Sequence, residues 1–541
     1  MRNTIYTLLL MVCWQVTFVN PVLAGWDEQA VLARRTAADS FILEKYAYLA
    51  QSTYTNGVFF DYNNDGQLDL LIVGKGGDWN IHGNVRIVAL YKNLGPEQDF
   101  RFERIMDTGL LEYADEGYYN PVSVGDYNHD GYTDLVVMTY HDGRHIDLYL
   151  NERGTGHFIR QEDIDFEGAT NGSVMFGDLD NDGWLDVEYS GYSNTTATTL
   201  KLYRNQHDGT FSDISRPSVT GAFQGGSALA DINGDGRLDI ISTGNGDNWV
   251  CLASLYLAAA DGYERIDESW SGLLGASRGT PLVADLNADG RMDIVLNGEP
   301  SNGSGFRTRV YYQKENGTFA LDTDYPLLPV NADGGINMGD ADGDGNMDFI
   351  IGGWIGTYEV APGATYNSPL RVYENHPEVA GIPGNTFPEP PTEVSAVVVG
   401  DSLTITWTEG SDPESAVEAL RYNLFVRNDN TGELFTLIPA DIESGRLYVG
   451  TDLQTSLSSA IHSYTIKRFG AGDYTVGVQT LDQAYAPSRF AVTTTQGTGV
   501  HGLTPNSASC YYNMNGQAVV APQRGVYIKQ TGTVARKVIL K

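Results

Sequence analysis

Cysteine is scarce in this sequence, with three residues among 541, at positions 13, 251 and 510. So few and so widely spaced cysteines cannot form the dense disulfide framework that holds small secreted domains together. The fold must therefore be held in another way. A chain of this length is also expected to form two or three domains rather than one.

Basic residues are scarce too. Lys and Arg number 34 against 69 Asp and Glu, so the formal net charge is −35 at pH 7. This balance argues against nucleic acid and anionic lipid as partners, because both bind basic surfaces, and it suits a protein that binds cations. Glycine (62 residues) and tyrosine (32 residues) are abundant, which predicts turns and strands rather than helices.

Long apolar runs are missing apart from one at the N-terminus. Arg2 precedes an apolar stretch at residues 5–19, and Val22-Leu23-Ala24 has the small residues of a cleavage site. Residues 1–24 are therefore predicted to be a signal peptide, with a membrane anchor as the alternative. We expect a monomer that is exported to the cell surface or the medium and has no transmembrane span after cleavage.

An acidic motif of nine residues, Asp-x-[Asp/Asn]-x-Asp-Gly-x-x-Asp, occurs six times. The first aspartates of successive copies are separated by 65, 52, 53, 54 and 55 residues, a period that suits a four-stranded propeller blade. An apolar strand is predicted on each side of the motif, and a third strand follows, typified by Leu202-Tyr-Arg-Asn205. The copies lie at residues 61–69, 126–134, 178–186, 231–239, 285–293 and 340–348.

The ends of this array predict how it closes. Phe158 and Phe211 begin predicted fourth strands 20 residues before the next motif, and Phe41 precedes the first motif by the same distance. Residues 41–48 are therefore expected to complete the last blade and close the ring. The sequence predicts an all-β fold with a six-bladed propeller at residues 25–376, or a seven-bladed one as the alternative. We also expect residues 25–385 to fold without the remainder of the chain.

The motif has the oxygen ligands of a calcium loop. Positions 1, 3, 5 and 9 carry Asp or Asn, position 7 offers its backbone carbonyl, and glycine at position 6 permits a sharp turn. An EF-hand would need Glu at position 12, where no copy has an acidic residue, while Asx-turns that cap hairpins are the other alternative. About six calcium sites are predicted, with the ligands Asp61, Asn63, Asp65, Gln67, Asp69, Asp126, Asn128, Asp130, Tyr132, Asp134, Asp178, Asp180, Asp182, Trp184, Asp186, Asp231, Asn233, Asp235, Arg237, Asp239, Asp285, Asn287, Asp289, Arg291, Asp293, Asp340, Asp342, Asp344, Asn346 and Asp348.

The strand and loop at residues 174–186, Val174-Met-Phe-Gly-Asp-Leu-Asp-Asn-Asp-Gly-Trp-Leu-Asp186, resemble the FG-GAP/VCBS repeat family. The calcium-bearing propellers of that family include the integrin α-subunit head, and the resemblance covers about residues 41–376. It implies a propeller with bound calcium. It does not imply one function, because such propellers serve adhesins, lectins and some polysaccharide lyases. The family more often has seven blades.

The rest of the chain, after the repeats, has a different sequence pattern. Residues 377–391 are rich in proline and are predicted to be a linker. Residues 392–495 resemble a fibronectin type III sandwich, with Trp407, Tyr422 and Tyr474 in its core and Tyr474 as a candidate tyrosine corner. Residues 500–541 resemble the small C-terminal β-domain that directs type IX secretion in Bacteroidota, and an ordinary terminal hairpin is the alternative.

Motifs of catalysis are missing, since no nucleotide-binding glycine loop and no His-Glu-x-x-His helix occurs. Asp142-Gly143 predicts a turn between His141 and His145, which argues against a zinc site there. The sequence predicts a module that binds a glycan or an extracellular protein, with a carbohydrate-active enzyme (a polysaccharide lyase or hydrolase) as the alternative. Its ligand face is predicted on the loops between second and third strands, at Trp79, His82, Tyr140, His141, Tyr192, Trp249, Trp354 and Tyr358.

Overall fold

The structure is a computed structural model, and not every residue is described. It describes residues 52–540 outside the segments 77–84, 111–118, 120, 196–197, 247–248, 261, 267–270, 286–288, 302–307, 323–333, 343–344, 346–347, 353–370, 374–384, 400–401, 451–455, 467–471, 484, 498–509, 513–517, 520–524 and 532–533. The predicted signal peptide and the predicted closing strand at residues 41–48 lie outside this part. Within it, no helix is long and apolar enough to cross a membrane.

The prediction of an all-β fold is confirmed. The repeat region begins with three antiparallel sheets, each of four strands in chain order. The first has β1 (Ser52–Phe60), β2 (Asp69–Gly76), β3 (Val85–Asn93) and β4 (Phe102–Arg104). The second has β5 (Val122–Gly125), β6 (Asp134–Tyr140), β7 (Arg144–Asn151) and β8 (Phe158–Arg160). The third has β9 (Ala169–Gly177), β10 (Asp186–Ser193), β11 (Thr199–Asn205) and β12 (Phe211–Asp213).

Three further sheets complete the described part of the repeat region. The fourth has β13 (Ser227–Ala230), β14 (Asp239–Asn245), β15 (Cys251–Ala259) and β16 (Gly262–Ile266), with two short added strands, β17 (Ala276–Ser277) and β20 (Glu299–Pro300). The fifth has β18 (Pro281–Ala284), β19 (Asp293–Leu296), β21 (Arg309–Gln313) and β22 (Phe319–Leu321). The sixth has β23 (Ile336–Gly339), β24 (Asp348–Ile351) and β25 (Arg371–Tyr373).

Each acidic motif joins the first strand of a sheet to the second, as the sequence predicts. The first strands of successive sheets contact one another from β1 through β5, β9 and β13 to β18, and β1 also contacts β23 of the sixth sheet. The fifth and sixth sheets are joined where Asn297 donates from Nδ2 to the carbonyl of Gly334 at 3.3 Å. Asn337 on β23 donates a hydrogen bond from Nδ2 to the side-chain oxygen of Asn56 on β1, at 2.6 Å. The six described sheets thus follow one another around a ring whose two ends meet.

Residues C-terminal to the repeats form two more β units. The first is a sandwich of a three-stranded sheet and a five-stranded sheet, with Trp407, Tyr422 and Tyr474 buried in its core as predicted. One sheet has β26 (Val394–Val399), β27 (Ser402–Trp407) and β31 (Ser463–Ile466), and the other has β28 (Arg421–Asn428), β29 (Leu434–Thr436), β30 (Leu457–Ser458), β32 (Gly472–Leu481) and β33 (Ala491–Gly497). The C-terminal unit is a four-stranded sheet of β34 (Cys510–Tyr512), β35 (Ala518–Val519), β36 (Gly525–Thr531) and β37 (Val534–Leu540).

Helical structure in the described part includes two short 3-10 helices, Pro96–Gln98 and Val417–Ala419. The first follows β3 in the first sheet. The second precedes β28 in the sandwich, and Leu420, just after it, is fully buried. Both are turns between strands rather than packing elements of their own.

The sandwich packs against the end of the ring that carries the acidic motifs. Its segment at residues 438–450 extends the backbone pairing of β1: the N–H of Gly450 donates to the carbonyl of Phe59 at 2.9 Å, and Phe60 pairs with Val449. Phe60 and Met338 of the ring share one apolar cluster with Val449 of the sandwich. Ring and sandwich therefore have a common core at this end.

Candidate functional sites: the acidic loops and the opposite face

The six acidic loops share the same turn at position 6. The glycine at position 6 has a φ between +81° and +91° in every loop, which only glycine adopts without strain, so the predicted sharp turn is present. Its N–H donates to Oδ2 of the aspartate at position 1, at 2.6 to 3.1 Å in all six loops. Position 1 is thereby fixed beneath the turn, with its carboxylate facing the centre of the loop.

The aspartate at position 9 ties its loop to the third strand of the same sheet. In the third loop, Oδ1 of Asp186 accepts the N–H of Asn205 at 2.8 Å and Oδ2 accepts the N–H of Leu179 at 3.0 Å. Asp69 and Asp239 repeat both bonds in their own loops. These carboxylates are fully buried. Position 9 therefore stabilises the blade itself, in addition to any contribution to a metal site.

An amide side chain at the end of the third strand links the first, second, third and fifth blades each to the preceding one. Asn151 donates from Nδ2 to the carbonyl of Tyr62 at 2.8 Å, and Asn205 donates in the same way to Tyr127 at 3.0 Å. Asn93 reaches the carbonyl of Ala341 at 3.0 Å, across the junction of the first and sixth sheets. The repeated Asn of the third strand, which the sequence shows without giving its role, is thus a contact between blades.

Burial makes the loop carboxylates costly to ionise. Burial, the largest cause, and the charge of a neighbouring aspartate together raise the pKa of Asp126 and Asp178 to about 7 and that of Asp61 to about 6. The N–H groups of the turn lower these pKa values but do not outweigh burial. A bound dication would favour the ionised carboxylates, and its binding would be coupled to folding.

The donor set fits calcium. The described part of the chain places ligand oxygens of Asp178, Asp180 and Asp186 within 4.8 Å of one another, and the sixth loop does the same with Asp340, Asp342 and Asp348. Oxygen-only sites of this kind suit calcium. Asn287, Asp344 and Asn346 lie outside the described residues.

In several loops the aspartate at position 5 pairs with a basic side chain, a feature that the sequence analysis did not predict. Asp65 contacts Lys92 at 2.9 Å and Asp182 contacts His207 at 3.0 Å. In the fourth loop the guanidinium of Arg237, at position 7, contacts Asp235 at 2.5 Å, and Arg291 pairs with Asp289 in the fifth. Position 7 therefore contributes its side chain to loop electrostatics as well as its carbonyl.

The sandwich and the segment before it touch all six acidic loops. The hydroxyl of Tyr464 donates to Oδ2 of Asp178 at 2.8 Å. Gly290 lies against the carbonyl of Glu418, with no room for a β-carbon. Space remains beside the loops, in cavities of about 540 Å³ next to Asp340 and about 740 Å³ next to Asp180 and Asp235. The contacts, loop by loop, are Asp61 with Tyr448, His129 with Phe435, Asp178 with Tyr464, Gly236 with Ile461, Gly290 with Glu418, and Gly345 with Asn385.

The opposite end of the ring carries the loops between second and third strands. Trp249 is 67 % exposed there, and its ring packs edge-on against Phe223 with 5.0 Å between centroids. Tyr192, on the third blade, is 36 % exposed, and its ring centroid lies 5.8 Å from that of Phe223. The guanidinium of Arg144 lies 4.7 Å from the Tyr192 centroid. We call Tyr192, Phe223, Trp249 and Arg144 the aromatic patch.

The aromatic patch is only partly what the sequence predicts. Tyr192 and Trp249 were predicted, whereas Phe223 and Arg144 were missed because they come from a different connection and from a strand. Tyr140, 41 % exposed, and His141 lie on the second blade beside Arg144. The predicted residues Trp79, His82, Trp354 and Tyr358 lie outside the described residues.

FG-GAP-like repeats match five segments of the chain: residues 61–137, 126–187, 190–242, 231–296 and 285–351. These matches cover just over half of the sequence, and each contains at least one acidic loop. The protein belongs to the FG-GAP-like repeat family.

Curated relatives share the repeats at low identity. Cartilage acidic protein 1 of Xenopus tropicalis is 26 % identical over 204 residues, which cover 34 % of this chain and 29 % of that protein. A T-cell immunomodulatory protein homolog of Plasmodium falciparum is 22 % identical over 311 residues, covering 50 % and 41 %. The alignments thus span less than half the length of these relatives.

Solved structures resemble this chain only loosely. A fungal alcohol oxidase in complex with copper aligns with a TM-score of 0.39 and 12 % identity, over 81 % of this chain and 97 % of its own. A TM-score of this size supports no inference about activity.

Proposed function

We propose that this protein is an exported, calcium-loaded propeller that binds a glycan through the face opposite its acidic loops. The turn shared by all six acidic loops, and the oxygen-only donor sets of the third and sixth loops, support the calcium part of the proposal. The signal-peptide pattern and the C-terminal resemblance to type IX sorting domains support export to the cell surface or medium, where millimolar calcium is typical of extracellular modules.

The observation that carries the proposal is that the sandwich covers the loop end of the ring but not the aromatic patch at the opposite end. The sandwich, which we propose to be of the fibronectin type III class, and the segment before it together contact all six acidic loops. At the other end the described residues leave Trp249 and Tyr192 partly exposed on a shared buried base, Phe223. An external partner therefore has access to the aromatic patch, whereas the sandwich already occupies the loop end.

The chemistry of the aromatic patch suits a sugar. Exposed aromatic rings stack on the apolar faces of pyranose rings, and nearby amide and guanidinium groups donate to hydroxyls. Arg144 and Asn194 supply such groups beside Tyr192, with Arg144 Nη1 donating to Asn194 Oδ1 at 3.2 Å. Because Phe223 supports both Tyr192 and Trp249, the two exposed rings are held rather than free to collapse onto each other.

The test is a glycan array probed with the calcium-loaded chain and with a Trp249→Ala variant. Loss of one stacking ring should weaken binding at least about tenfold, since exposed aromatic anchors dominate such interfaces. Met106→Ala is the matched control, because Met106 is 79 % exposed and lies outside the aromatic patch.

Three outcomes would count against the proposal. Equal binding by the Trp249→Ala variant would exclude the aromatic patch as the binding surface. Release of unsaturated or reducing sugar ends from a bound polysaccharide would show an enzyme instead of a binding module. Capture of an extracellular protein with no glycan bound would show that the ligand is a protein and not a glycan.

A further inference from the structure

A cluster of two histidines and one aspartate lies at the tip of the second blade, outside every acidic loop. The ligand atoms of His141, His145 and Asp147 all fall within 4.8 Å of one another. His145 and Asp147 are two residues apart on β7, so their side chains emerge on the same face of the strand. His141 belongs to the turn between β6 and β7 and folds over that face.

The turn itself is what brings the two rings together. Asp142 has a φ of 54° and Gly143 a φ of 138°, and Tyr140 pairs with Arg144 immediately beside them. The reversal stacks the imidazole of His141 on that of His145, with 4.1 Å between centroids and 4° between planes. A metal ion lies near the plane of each imidazole that binds it, and these two planes are parallel, so one ring must rotate about its Cβ–Cγ bond before both can bind the same ion. The Asp142-Gly143 pair, which argues in the sequence against a helical zinc site, thus creates a hairpin arrangement of the same two residues.

Asp147 is held in place by groups that leave one oxygen facing the histidines. Arg160 donates from Nε to Oδ1 at 2.9 Å, and Thr139 donates from Oγ1 to Oδ2 at 2.5 Å. Oδ2 also lies 3.1 Å from Nε2 of His141. Supporting contacts of this kind orient ligating carboxylates in metal sites.

We propose that His141, His145 and Asp147 bind a transition-metal dication, for which zinc is the probe. Two ligand atoms that are 3.1 Å apart, each about 2.1 Å from a zinc ion, subtend an angle of about 95° at the metal, close to the angles of octahedral and tetrahedral sites. Two imidazoles and one carboxylate suit zinc rather than calcium, which takes oxygen ligands only. Three protein ligands also leave a position open toward solvent.

This site differs in chemistry and place from the acidic loops. It lies on the face of the aromatic patch, and the side chain of Arg144 connects the same hairpin to Tyr192. A metal here could accept an oxygen of whatever binds that face. The inference stands on the hairpin geometry alone and does not depend on the proposed glycan binding.

The test is calorimetric titration of zinc into the full chain, prepared without a histidine tag and saturated with calcium so that the acidic loops are occupied. We expect one equivalent of zinc on the wild type and a loss of affinity of at least about tenfold in His141→Ala and in His145→Ala. His157→Ala is the matched control, because His157 pairs with Glu152 at 3.3 Å but has no second histidine in its pair. Binding that is absent from the wild type, or unchanged in both variants, overturns the proposal.

A second measurement uses the wild-type chain alone, in case a variant fails to fold. Side-chain ¹⁵N signals of His141 and His145 should shift on addition of zinc, while that of His157 should not. Signals of His141 and His145 that stay in place at saturating zinc also overturn the proposal, and the cluster is then a hydrogen-bonded pair with a stacked neighbour.

Discussion

The two ends of the ring are built from the same blades, yet they differ in the side chains they present and in whether the sandwich packs over them. At one end, six loops present carboxylates beneath the same glycine turn, and the sandwich with the segment before it packs across all of them. At the other, the described connections of the second, third and fourth blades differ from one another and expose the aromatic rings of Tyr140, Tyr192 and Trp249. The first end is repetitive because each loop stabilises its own blade through the aspartate at position 9.

Calcium removal should have the largest effect, and it should act on the loop end. A ligand that binds only the native state stabilises it at every occupied site, by about 2.7 kcal/mol for each site at a concentration 100-fold above its Kd. We expect excess chelator to lower the melting temperature by more than about 10 °C, measured by scanning calorimetry. An unchanged melting curve would show that calcium does not stabilise the loop end.

Substitution within one loop should separate its structural aspartate from an aspartate that serves the metal alone. Asp186→Ala leaves the buried N–H groups of Leu179 and Asn205 without their acceptor, which costs roughly 2–5 kcal/mol with or without calcium. Asp180→Ala removes a ligand and a partly exposed pair with Arg204, so its cost should nearly vanish in chelator. Denaturant unfolding of both variants with and without chelator measures this, and equal costs for both in chelator would contradict it.

The contact between the sandwich and the loops should have a moderate effect. Tyr464→Phe removes the hydroxyl that donates to Asp178, with an expected cost of about 1–2 kcal/mol in chelator. The control is Tyr422→Phe, whose hydroxyl accepts the N–H of Gly410 inside the sandwich at 3.2 Å. If the tyrosine supports the third loop, only Tyr464→Phe should also change calcium affinity, measured by calorimetric titration. The same calcium affinity in both variants would show that sandwich and loop are not coupled through this bond.

The opposite end should tolerate change with the smallest effect on stability. Trp249→Ala removes a side chain that is mostly exposed, so its melting temperature should stay within about 1–2 °C of wild type while ligand binding falls. Phe223→Ala is the contrasting variant, because Phe223 is buried and supports two rings, and its loss should lower both stability and binding. A large melting change in Trp249→Ala would mean that this end, too, serves the fold.

The shared core changes one expectation drawn from the sequence. The proline-rich segment at residues 377–391 indicates a boundary, and residues 25–385 were expected to fold alone. In the structure Phe60 and Met338 of the ring pack in one cluster with Val449 of the sandwich. We now expect a chain cut at residue 385 to expose that apolar surface and to aggregate, which light scattering would detect.

What the sequence determines by itself is local. Ligand spacing, the glycine of the sharp turn and the alternation of each strand lie within about ten residues, and the repetition of this unit specifies an all-β array of blades. The placement of the acidic loops between first and second strands, the family and the buried aromatics of the sandwich were therefore predictable, whereas the role of the loop residues as calcium ligands stays a prediction. Of the residues predicted for the opposite face, Tyr140, Tyr192 and Trp249 are exposed in the structure, whereas Trp79, His82, Trp354 and Tyr358 lie outside the described residues.

Only the tertiary structure decided which distant groups meet. Tyr464 reaches Asp178 across 286 positions of sequence, and Asn93 reaches Ala341 across 248. Phe223 joins Tyr192 to Trp249, and the hairpin at Gly143 turns two histidines into neighbours of Asp147. Such contacts depend on how the ring closes and on where the sandwich docks. Because those arrangements follow from the burial of apolar surface over the whole molecule, no local pattern records them.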